Sequence, residues 1–179
     1  MGMFQLSGDA HTSDLMVNLY ALAFMICGIA LPLEQASEYL IMPDYVVYVR
    51  QHRGFAHFAR YFAMITVYCL VFTGMQSLFA LAVVPEVKVG SMLSTSACAG
   101  WTLLCLLLLV TLGYLLTNRA MGYVAAMASY ALLLSIGPVA RWFALGHVGM
   151  LPAWVPALLV SLLLITALNA MAFDRIQIL

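Results

Sequence analysis

Residues Leu103–Val110 read L-L-C-L-L-L-L-V, and Cys105 is the one member of the run that is not an aliphatic side chain. The run lies inside a longer stretch, Met92 to Thr117, that carries no charged residue. A strand of a membrane barrel alternates apolar with polar positions, so this stretch is not one. Backbone amides in hydrocarbon must be satisfied within their own segment, which leaves the α-helix. A hydrocarbon core about 30 Å thick is crossed by about 20 apolar residues of helix, so 92–117 is read as a transmembrane span.

The rest of the chain is of the same kind. Its 179 residues are 65% apolar and 8% charged, with a mean hydropathy of +1.05. An ordinary soluble domain has about 45–50% apolar and about 25% charged residues, so a water-soluble globule and a disordered chain are both excluded. Seven Lys and Arg balance seven Asp and Glu, and the scattered basic residues form no nucleic-acid footprint.

Working outward from 92–117, four more apolar runs appear, at about 15–33, 61–84, 121–140 and 153–173. Pro32, Glu34 and Glu38 close the first, and Pro85-Glu86-Val87-Lys88 closes the second. Asn118-Arg119 separates the third from the fourth, while Gly137-Pro138 and Arg141 end the fourth. The expected fold is all-α: a polytopic transmembrane helical bundle of five spans forming a single membrane domain, 1–179. The alternative is four spans plus a re-entrant segment, because Pro138 and Arg141 shorten the fourth run.

Lys and Arg are retained on the cytoplasmic side, which gives an orientation. Arg50, Arg53, Arg60, Arg119 and Arg175 fall on one side of five spans and Lys88 and Arg141 on the other. This predicts the N-terminus outside and the C-terminus in the cytoplasm of a bacterial inner membrane. Met1 to Asp14 contain no Lys or Arg, so the positive region of a cleaved signal peptide is missing and the first span is expected to be retained.

The segment 34–60 is read as a cytoplasmic amphipathic basic segment, on a helix that runs along the membrane surface or continues into the second span. If helical, it sets Arg50, Arg53, His57 and Arg60 on one face, at steps of three and four residues, beside Tyr45, Tyr48, Phe55 and Phe58. Such a face suits anionic lipid headgroups, and it also suits an acidic cytosolic partner docking at 44–61. Within the spans, Asn18, Gln76 and Asn169 are the strongest polar residues and the candidates for a polar path. The carboxylate pair Glu34 and Glu38 is read as a solvated helix end.

Other chemistry finds little material. Cys27, Cys69, Cys98 and Cys105 lie inside the spans with no C-x-x-C pair, so no metal site is expected. Haem b in a membrane is ligated by histidines inside the spans, whereas His11, His52, His57 and His147 lie at edges or in loops, so no cofactor is expected. No nucleotide-binding or hydrolase motif is present. Small residues at four-residue spacing (Ser94/Cys98, Ser96/Gly100, Gly122/Ala126, Ala125/Ser129 and Thr166/Ala170) mark faces where helices approach closely.

From Asn118 onward the pattern N-R-A-M-G-Y, an apolar helix, G-M-L-P-A-W at Gly149–Trp154 and a final apolar helix is similar to the last two spans of the lipopolysaccharide-export permeases. The resemblance covers about a third of the chain. It implies a lipid-facing bundle working with a cytosolic ATPase. The chain departs from those permeases in having only short outer loops in place of a large periplasmic β-domain, and no family is assigned on it. The function expected from the residues is that of a non-catalytic integral subunit of a larger inner-membrane complex, with other membrane subunits as partners. A small homo-oligomeric permease or lipid-translocating bundle is the alternative, and a haem- or quinone-associated subunit is the third reading.

Overall fold

The computed structural model describes residues 19–32, 55–83, 89–136, 138–139, 142–143 and 146–176. Five long helices make up most of them: α1 (Leu19–Ala30), α2 (Phe55–Val83), α3 (Val89–Leu116), α4 (Arg119–Ser135) and α5 (Trp154–Ile176). A short antiparallel hairpin, β1 (His147–Val148) and β2 (Leu151–Pro152), precedes α5 and turns through Gly149, whose φ of 65° is a conformation that favours glycine. The chain is all-helical apart from this hairpin among the described residues. Three of its helices are long and apolar enough to cross a membrane, over His57–Ala82, Met92–Leu116 and Trp154–Phe173.

The apolar helix α3 is the centre of the packing. Leu103 to Leu108 are buried without a break, which happens only when a helix is covered on every side. α2 runs antiparallel to it, with Tyr61 against Thr111, Thr73 against Gly100 and Ser77 against Ser96. α4 returns along α3 as a tight hairpin, started by Asn118, whose side chain accepts from the Met121 amide at 2.9 Å. α1 leans on α2 and α3: Phe24 and Phe72 have ring centroids 5.1 Å apart, and Tyr68 Oη donates to the Gly28 carbonyl at 2.8 Å. α5 is parallel to α3, from Trp154 beside Trp101 at one end to Phe173 beside His57 and Phe58 at the other.

Two boundaries depart from the sequence reading. α2 begins at Phe55, ahead of the boundary read at 61, so His57 and Arg60 lie on a helix that continues into the second span, as one of the two alternatives has it. The reason is that Phe58, Tyr61, Ile65 and Cys69, all buried, form one continuous core-facing ladder, and the helix extends to present all of it. α4 ends at Ser135, where the Ile136 amide closes the last turn on the Leu132 carbonyl, ahead of Gly137-Pro138. Its 17 residues reach about 25 Å, less than the hydrocarbon thickness.

Candidate functional site: polar contacts between the helices

Hydroxyls and amides inside an apolar bundle must be hydrogen-bonded or carry a desolvation cost. Besides the Tyr68–Gly28 bond between α2 and α1, three such contacts join helices among the described residues. The first links α2 to α3. Thr111 Oγ1 donates to the Leu107 carbonyl at 2.9 Å, which uses its only proton, so Tyr61 Oη is the donor in its 2.5 Å contact with Thr111. Both side chains are buried, Tyr61 at 1% exposure. The second, Ser77 with Ser96 at 2.6 Å, follows the same logic: Ser77 donates to the Thr73 carbonyl at 2.7 Å, so Ser96 donates to Ser77. The third links α5 to α3. Asn169, at 0% exposure, donates through Nδ2 to the Leu108 and Ile165 carbonyls, each at 2.9 Å. Its Oδ1 is buried and has no partner among the described residues.

Close backbone approach completes the interior. A Cβ at Gly113 would stand 2.3 Å from Gly122 Cα, and a Cβ at Gly122 would stand 2.4 Å from the Val110 carbonyl oxygen. Only glycine lets α3 and α4 meet at that distance. Gly100 sits against Thr73 in the same way, less tightly, at 3.1 Å.

Of the residues singled out from sequence, Asn18, Arg50 and Arg53 lie outside the described residues. His57 is half-buried and stacks on Phe173 with ring centroids 6.2 Å apart, while Arg60 is exposed. Gln76 is half-buried in α2 one residue before Ser77, which meets Ser96, whereas Asn169 meets Leu108. Ser96 and Leu108 are 12 residues apart on α3, about 18 Å at 1.5 Å per residue, so the structure does not bring Gln76 and Asn169 together.

The small-residue pairs divide. Ser96/Gly100 and Gly122/Ala126 are helix contacts, whereas Ser94, Ala125 and Ser129 face outward. The four cysteines are free, with Cys69 and Cys105 buried and Cys27 exposed. Among the described residues no three His, Cys, Asp or Glu side chains come together in a metal-holding group.

The Tyr61–Thr111 bond was missed in the sequence. The available signal is that a phenol and a threonine within apolar helices each need a partner, but several hydroxyls on α2 and α3 offer one, and spacing does not choose between them. Tyr61→Phe removes the donor and leaves the ring in place. Interhelical bonds in membrane proteins average about 0.6 kcal/mol with a maximum near 1.7. The expected loss in detergent unfolding is within that range, and a larger one would show that the hydroxyl holds more than this contact. Set against known protein families, curated proteins and solved structures, the chain matches none.

Proposed function

We propose that this chain is a non-catalytic integral subunit of a larger inner-membrane assembly, crossing the bilayer five times with its C-terminus in the cytoplasm. The observation that carries the reading is the use of the in-span polar groups. Tyr61, Thr111, Ser77, Ser96 and the Asn169 amide are spent on neighbouring helices, as internal adhesive for a scaffold. A polar path through a permease would need them turned toward a shared lumen, and Gln76 and Asn169 sit at different depths.

The orientation has support of its own. The start of α2, the end of α3, the start of α4 and the end of α5 gather at one end of the bundle, so Arg60, Arg119 and Arg175 belong to that end by position. Positive residues mark the cytoplasmic side. Outward-facing Ala125 and Ser129 on α4 offer a further helix a close approach.

Two measurements test this. In mild detergent the protein from its native membrane should migrate on a blue-native gel well above the mass of the chain and bring other membrane proteins with it. Migration as a lone monomer in every mild detergent would sink the subunit reading. A fluorescent protein fused after Leu179 should fold and fluoresce, while a phosphatase fused there should be inactive. The reverse pair of results would invert the orientation.

A further inference from the structure

We infer that the connection between α4 and α5 holds the headgroup region of the bilayer below the far end of α2 and α3, so that the membrane is thinner beside α5 than beside α2. The inference rests on the reading that α2 and α3 cross the bilayer.

The levels follow from contacts. α5 begins where Trp154 meets Trp101 edge to face, with ring centroids 6.2 Å apart and planes at 73°. Phe143, within the connection, is buried in a cluster with Cys105 and Leu158. Gly146 accepts from the Ala153 amide at 2.8 Å and seats the hairpin directly on the start of α5. The connection therefore lies beside residues 101–105, the middle of an α3 that runs from 89 to 116. From the end where Phe173 meets Phe58, α5 rises 19 residues, about 28 Å, to Trp154, whereas α2 rises 25 residues, about 37 Å, from Phe58 to Val83, so α2 and α3 stand about 9 Å beyond the connection.

Two kinds of surface then stand at different heights. Along the projecting part of α2 and α3, Leu78, Phe79 and Leu93 are each more than 60% exposed and need hydrocarbon around them. At the connection, His147 to Leu151 are all exposed on two-residue strands, whose outer amides and carbonyls need water or headgroups. A flat membrane cannot satisfy both. The tryptophans supply an independent marker. The chain has three, Trp101, Trp142 and Trp154, and all belong to this level; Trp142 lies next to Phe143 and its carbonyl accepts from Gly146. Indole favours the membrane interface, where an apolar ring and a wet N–H are both served. A phospholipid headgroup layer with its water is the occupant these groups fit. The side of the bundle made by α4 and α5 thus presents a shorter hydrophobic height than the side made by α2.

Depth-dependent quenching of the native tryptophan fluorescence tests this on the unaltered protein in phosphatidylcholine vesicles. Lipids brominated next to the headgroup should quench more strongly than lipids brominated near the chain end. Stronger quenching by the chain-end bromines would place the indoles in the bilayer centre and overturn the inference.

A second protein separates this failure from failure of the spanning reading. Leu70, 66% exposed on the outer face of α2, lies opposite Leu103 by the antiparallel register and so at nearly the same level as Trp101. L70W, introduced where the three native tryptophans are changed to Phe, should be quenched more by the chain-end bromines. Deep quenching of both proteins means a bundle that spans a flat bilayer. Shallow quenching of both means that α2 does not cross.

Discussion

Gly122→Ala should lower the thermal stability of the purified protein sharply, although alanine is the better helix former. The new methyl would stand 2.4 Å from the Val110 carbonyl oxygen and 3.2 Å from its carbon. These are backbone atoms of α3, and no rotamer change moves them away. Either α3 and α4 separate, or the hairpin rotates and uncovers Ala126, which is fully buried one turn further on. Overpacking of this kind costs about 1–3 kcal/mol and occasionally more. Helix propensity returns about 1 kcal/mol at most. Gly113→Ala should behave alike, since its Cβ would meet Gly122 Cα. Gly74→Ala is the internal control: nothing lies within 4 Å of a Cβ there, so the propensity gain acts alone and stability should rise slightly. Equal unfolding temperatures for G122A and G74A would show that the close crossing does not persist in the folded protein.

Asn169→Asp should be the most damaging single-atom-scale change in the bundle. The amide donates to two carbonyls and is fully buried; a carboxylate in its place brings an acceptor against both oxygens and a charge into hydrocarbon. An Asp at the centre of a membrane helix costs about 2.5–3.5 kcal/mol; Asn169 lies four residues from the end of the apolar stretch at Phe173, so the charge costs less than that and the lost contacts add to it. Asn169→Leu, of similar volume, should be mild. It gives up interhelical bonding worth about 0.6 kcal/mol on average and removes the Oδ1 atom that has no partner. Unfolding in mixed micelles with increasing denaturing detergent would compare the two. If N169L loses as much as N169D, the donors are not what Asn169 contributes.

Hydropathy made some of this structure legible and left the rest obscure, for physical reasons. The span read at 92–117 is the helix Val89–Leu116. Its middle turns, Leu103–Leu108, are buried on every side and are written in apolar residues, and charge at Lys88 and Arg119 marks the two stops. Hydropathy carries α4 to 140 because it counts Ile136 and Val139 as membrane residues, while the helix ends at Ser135 because it obeys Pro138, which lacks a donor. Asn169 stood out from sequence as an in-span amide, but as the lining of a path. Polarity is a property of one residue, whereas a partner is fixed by how two helices cross. Nothing in the spacing of α5 says that its amide reaches the Leu108 carbonyl. Gly113 fell outside the small-residue pairs for a related reason: it meets Gly122 across the hairpin, and only the two-residue link Thr117-Asn118 sets that register.

The place of α3 in the chain has a consequence for biogenesis. Of the five described helices, the one that touches all the others is the third in chain order. Among the described residues, α1 and α2 have each other before α3 is made, through Phe24 with Phe72 and Tyr68 with Gly28. The α3–α4 pair, joined by two residues, arrives as a nearly self-contained hairpin, and the Asn169 tie waits for the last helix. Order of synthesis and order of packing therefore differ in this protein. The two early helices gain the rest of their packing only when α3 arrives against both.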